Sequence, residues 1–95
     1  MHLSRIQEKV SEFKELEGDD SLSVQVYKIL LRQPTQIGMG YGSLRPINLN
    51  DSDDREIFLQ SASNDLDNFI IQMGNHARSS IIELYKQAVD TLLGE

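Results

Sequence analysis

The run DREIFLQSASNDLDNFIIQMGNHARSSIIELYKQAVDTLL, residues 54–93, decides the fold. Ile57, Phe58, Ala62, Leu66, Phe69, Ile70 and Met73 recur at the three- and four-residue spacing of one helix face. Ala77, Ile81, Leu84, Ala88 and Leu92 repeat the pattern, with Ile82, Tyr85 and Val89 beside them, and Gly94 closes it. Gly74-Asn75 lies between the two stripes. An unbroken helix over 53–93 is about 60 Å long. That is too long for a 95-residue globule unless a second chain runs beside it. Glycine costs only about 1 kcal/mol inside a helix, so continuity is allowed. The reading adopted is a break or kink at Gly74, giving two helices of ordinary length.

Working back toward the N-terminus, Asp51-Ser52-Asp53-Asp54-Arg55-Glu56 is a helix start. Asp53 and Glu56 have capping-box spacing, and the acidic first turn suits the positive end of the helix dipole. Before it, residues 34–50 hold both prolines and three of the six glycines, in Gly38-Met39-Gly40-Tyr41-Gly42. Leu44, Ile47 and Leu49 add apolar anchors. This stretch reads as a long ordered loop or a short hairpin, and such segments are often functional when ordered.

The N-terminal third reads as two further helices. Leu3, Ile6, Val10, Phe13 and Leu16 form one stripe over 3–17. Ser4 and Gln7 fit a capping box, and Gly18 fits the stop. Arg5–Glu8, Lys9–Glu12 and Lys14–Glu17 are opposite charges three apart, worth about 0.3 kcal/mol each. Asp19, Asp20 and Ser21 offer cap chemistry for a second helix carrying Leu22, Val26, Ile29 and Leu30, with Val24, Tyr27 and Leu31 on its other faces. An element apolar nearly all round is buried among several neighbours. The alternation Val24-Gln25-Val26-Tyr27 also suits a strand, but length and caps favour a helix, ended by Arg32-Gln33-Pro34. The whole is a single domain, 1–95: mainly α, three to four helices with an irregular Gly/Pro loop or short hairpin at about 34–50.

Composition narrows the function. Net charge is −6, which argues against direct nucleic-acid binding. There are no cysteines, excluding disulfides, thiolate metal sites and cysteine nucleophiles. The two histidines are far apart, so no metal site is expected. No apolar run nears the ~20 residues that span a bilayer, and the N-terminus does not read as a signal peptide. A cytoplasmic, membrane-independent protein is the expectation.

Four features invite chemistry. The glycine run with Arg45 and Tyr41 suggests an anion cradle, with Gly38, Gly40 and Gly42 presenting amides, Arg45 neutralising charge and Tyr41 stacking. It lacks the following Gly-Lys-Ser/Thr of a P-loop and the spacing of the dinucleotide fingerprint. A tight hairpin needing positive φ explains the same residues, as does a recognition loop with Met39 and Tyr41 as contacts. Residues 51–75 carry six acids and one base, which helix-start capping, or an acidic decoy face, would use. The spacing of Asn48, Asn50, Asp51, Asp53 and Asp54 does not match a calcium loop. His76, with Ser79 and Ser80, lacks the surroundings of a phosphotransfer helix. No serine sits in a nucleophile elbow or beside a base, so no catalytic residue and no cofactor is expected.

The function expected is a small non-catalytic protein–protein interaction module. It would self-associate through the C-terminal helices by way of Phe69, Met73, Ile81, Leu84, Tyr85 and Leu92, or bind another protein, as a regulator or inhibitor from a mobile element would. Two alternatives stand beside it: an anionic-ligand or nucleotide binder at Gly38–Arg45, and an acidic decoy for a basic nucleic-acid-binding partner.

Overall fold

A computed structural model describes residues 2–94. The chain runs α1 (Leu3–Glu17), α2 (Leu22–Leu31), β1 (Gln36–Gly40), β2 (Ser43–Pro46), α3 (Ser52–Met73), one 3-10 turn (Asn75–Ala77) and α4 (Arg78–Leu93). The fold is mainly α-helical with a hairpin at its middle, and it measures 43 × 26 × 22 Å.

α2 is central because it is apolar on nearly every face. Val24, Val26, Tyr27, Ile29 and Leu30 are all buried, and the helix packs on α1, α3 and α4. Ser21 caps it, its hydroxyl accepting from the Val24 amide at 3.2 Å. α1 lays Ile6 and Val10 into the core, and Phe13 meets Tyr27 edge-on at 4.9 Å between ring centres. The Ser4–Gln7 capping box does not form. The cap position is His2, with no side-chain bond, and Ser4 lies exposed inside the first turn. Of the three charge pairs expected on α1, Lys9–Glu12 closes at 3.3 Å. Arg5 reaches instead across the bundle to the Gly94 carbonyl at 3.1 Å, tying the two ends of the chain together.

The long C-terminal run breaks where expected. α3 ends at Met73, and Gly74 takes φ 92° and ψ 158°, backbone space open essentially to glycine alone. A 3-10 turn then redirects the chain into α4. α3 buries a narrow stripe, Asp54, Phe58, Ala62, Leu66 and Ile70, four residues apart. α4 buries Ile81, Ala88 and Leu92. The cap of α3 corrects the sequence reading: Asp51, not Asp53, takes that role, its carboxylate accepting from the Asp54 amide at 3.0 Å.

β1 and β2 pair antiparallel, with Gln36 opposite Pro46, Ile37 opposite Arg45 and Gly38 opposite Leu44. The register slips between Gly38 and Gly40, and Gly40 faces Ser43 across a two-residue turn. Both turn residues have positive φ, Tyr41 at 54° and Gly42 at 77°. Turns of that hand match the twist of the strands they join. Ile47 and Leu49, just past β2, are buried and root the hairpin in the core.

Candidate functional site

Two polar clusters flank the hairpin: one ties β2 to α3, and the other ties the chain just before β1, at the end of α2, to α3. At the returning end stands Asp54, in the first turn of α3 and only 2% exposed. Its two carboxylate oxygens each accept from the Arg45 guanidinium at 2.6 Å, and one also accepts from the Asn48 amide at 2.9 Å. Bidentate charge-assisted pairs of this kind fix geometry as well as adding attraction. The Arg45 hydrogen bonds, aided by the Asn48 amide, hold the Asp54 carboxyl well below its ordinary range, at about 2. The same pairing with Asp54 raises the Arg45 guanidinium. Arg55 adds a bond from Nε to the Leu49 carbonyl at 3.0 Å.

At the departing end stands Gln33, buried between α2 and α3. Its amide nitrogen donates to the Ile29 carbonyl at 2.8 Å and to the Asp65 carboxylate at 2.7 Å. Its amide oxygen accepts from the Ser61 hydroxyl at 2.6 Å. Among the described residues every buried side-chain nitrogen and oxygen has a partner. A buried polar network that is fully satisfied rigidifies what it joins.

What the two anchors hold out is apolar. Tyr41 at the turn is fully exposed, and Leu44 and Met39 are 63% and 57% exposed. On α3, Ile57 is 53% exposed. Between β1 and α3 lies a cleft of about 270 Å³, lined by Ile37 and Ile47 on the hairpin side and by Ile57, Phe58 and Ser61 on the α3 side. An open trough along α3 shares Ile57 and Ser61 with it and carries Asp53 and Glu56 on its wall.

The expected ligand residues Gly38, Gly40, Tyr41, Gly42 and Arg45 all lie on the one hairpin. Arg45 is engaged by Asp54, so an anion at Gly38, Gly40 and Gly42 would have to compete with an internal carboxylate. Tyr41 points into solvent at the turn, with no described surface beside it on which a base could be sandwiched. The residues expected at an interface separate. Ile81 and Leu92 are wholly buried inside the single subunit and cannot meet a partner without opening the core. Phe69, Leu84 and Tyr85 are half-buried against that core, and Met73 lies at the exposed end of α3. Burial raises the Tyr85 hydroxyl. His76 is exposed in the 3-10 turn.

Sequence reasoning missed Gln33, Ser61 and Asp65 altogether. It placed Asp54 as one more charge at a helix start and Arg45 as a ligand. The available signal was register: Asp54 falls four residues before Phe58, in line with the apolar stripe of α3, and nine residues after Arg45.

Among the described residues, no group of three or more His, Asp or Glu is arranged to hold a metal ion, and no helix is long and apolar enough to cross a membrane. Comparison with protein-family models, with curated proteins and with solved structures finds no match to this chain.

Proposed function

We propose that the protein is a non-catalytic protein-binding module whose recognition element is the hairpin 36–46 braced on α3. The observation that carries this reading is Tyr41. A tyrosine at positive φ costs roughly 1–2 kcal/mol, at a turn position that asparagine, aspartate or glycine would occupy without that penalty. The ring touches nothing that offsets the cost, because it is fully exposed. Strain kept at a wet, rigidly mounted tip is the pattern of a binding element. Met39, Leu44 and Ile57 extend the same apolar exposure around it. Binding is assigned to this side rather than to the C-terminal helices, because Ile81, Ala88 and Leu92 are already covered from within the subunit.

A photo-crosslinking residue placed at Tyr41 tests this in the native cell, with Glu12 on exposed α1 as the control position. A discrete crosslinked protein from position 41 and none from position 12 is the expected result. Equal products from both positions would overturn the reading.

A further inference from the structure

We infer that the open edge of β1 and the cleft beside it take an extended peptide strand from a partner protein, with alternating apolar and basic side chains. The inference rests on the protein-binding reading above and names the class of partner.

The first observation is the edge itself. The Ile47 amide donates to the Thr35 carbonyl at 2.8 Å, continuing the ladder in which Ile37 faces Arg45. Antiparallel ladders alternate, so Thr35 and Ile37 turn their N–H and C=O groups inward to β2. Gln36 and Gly38 then turn theirs outward, and among the described residues only β2 pairs with β1. The opposite edge of the hairpin is different. Its outward positions are Leu44 and Pro46, and proline has no N–H to give, which blunts that edge. The hairpin therefore has one edge able to accept a strand, and a strand added there gains main-chain hydrogen bonds irrespective of sequence.

The second observation is what lies beside that edge. Gln36, Ile37 and Gly38 form one wall of the 270 Å³ cleft and Ile57, Phe58 and Ser61 of α3 the other. A strand laid on β1 points alternate side chains into this cleft, whose floor is aliphatic and aromatic. Gly38 brings no side chain to obstruct it. From Asp53 to Asn64, the trough along α3 rises about 17 Å, the length of about five extended residues. β1 is itself five residues long.

The third observation is charge. The joined cleft and trough are lined by Asp53 and Glu56 and by no basic residue. Lysine or arginine flanking the apolar anchor meets these carboxylates, whereas an acidic peptide is repelled. A second copy of this chain brings a net charge of −6 to an acidic groove, which disfavours it as the occupant.

The test uses the whole protein as bait for randomised, proline-free eight-residue peptides, followed by titration of synthetic winners into isotope-labelled protein. Enriched peptides should alternate apolar residues with lysine or arginine. The Gln36 and Gly38 amide signals should shift and gain exchange protection. Ile57→Lys and, separately, Glu56→Lys, both at exposed helix positions, should weaken binding at least tenfold with unchanged helical circular dichroism. Methylating every second backbone nitrogen of the peptide should weaken it by a similar factor. No enrichment, enrichment without basic residues, indifference to Ile57→Lys, or indifference to backbone methylation would each overturn the inference. So would β1 amides that shift with protein concentration alone, which would place a second copy on the edge. A position-41 crosslink without groove-bound peptides removes this inference and leaves the binding-module reading standing. Absence of the crosslink with groove binding intact keeps hairpin-based binding and removes Tyr41 as the observation that carries it.

Discussion

The bundle of α1, α2 and α4 and the hairpin braced on α3 share one core but depend on different contacts for their position. In the bundle, position follows from covered apolar area: Ile6, Val24, Leu30, Ile81 and Leu92 are sealed from water. In the hairpin Met39, Tyr41 and Leu44 face out, Ile47 and Leu49 root the returning end in the core, and directional contacts, Arg45–Asp54–Asn48 beside β2 and Ser61–Gln33–Asp65 between the end of α2 and α3, set its orientation. A two-stranded hairpin is marginal alone, so without these anchors its exposed tip would not hold one geometry. The contrast shows how a chain of this size keeps a wet apolar surface ordered: Ile47 and Leu49 root the hairpin in the core and directional bonds beside them hold its exposed part at one angle.

That contrast can be attacked from either side. Phe58 joins the two regions, because it is buried in the core and also walls the cleft. Phe58→Ala should lower global stability by about 3–5 kcal/mol, measured by denaturant unfolding, and should loosen hairpin and bundle together. If the hairpin alone loosens, Phe58 belongs to the mounting and not to the shared core.

Asp54→Asn should act more locally. It removes the charge that grips Arg45 and should raise amide exchange through 36–49 while the bundle amides stay protected. Acid provides the same test on the wild type. The Asp54 carboxyl is held below its ordinary 3.8, at about 2, so the unfolded chain takes up that proton more readily than the folded one. Its contribution is complete above the unfolded value and is lost as pH falls from about 4 toward 2. Hairpin opening should follow that window in the wild type and disappear from it in Asp54→Asn. A shared acid profile would show that Asp54 does not control the hairpin.

Gly74→Ala comes next. The added Cβ would sit 3.2 Å from the His76 ring at a φ of +92°, for a loss of about 1–3 kcal/mol. A thermal melt reads it, and an unchanged melt would mean the α3–α4 corner can straighten without cost. Smallest is Tyr41→Gly, which should relieve the turn and raise stability by at most about 1 kcal/mol. It should at the same time abolish partner crosslinking nearby, here read from a probe at Leu44. Stabilisation with full binding would separate the strained turn from recognition.

The helices were legible because each rule that predicts them is local. The stripe from Leu3 to Phe13, the Ser21 cap and the Gly74 break all depend on residues within a turn or two, and the structure has them in place, whereas Leu16, expected to extend that stripe, is 81% exposed at the end of α1. Errors fell where two local rules competed. The capping boxes at Ser4 and Asp53 have the right spacing, but His2 and Asp51 hold the cap positions because the chain enters each helix earlier than the box assumes. The hairpin was legible only as one of two options, since Gly-x-Gly-x-Gly allows positive φ without requiring it.

Helix extents, the corner at Gly74 and the apolar stripes follow from neighbours along the chain, whose spacing sets which side chains share a face whatever the rest of the molecule does. Which stripe ends up covered, whether Arg45 meets a phosphate or Asp54, and whether Gln33 finds Asp65, 32 residues away, depend on segments meeting in space. Ionic and hydrogen-bonded pairing is short-ranged and directional, so nothing in linear order specifies it. Only the packing of α2 and the hairpin against α3 brings those groups within reach.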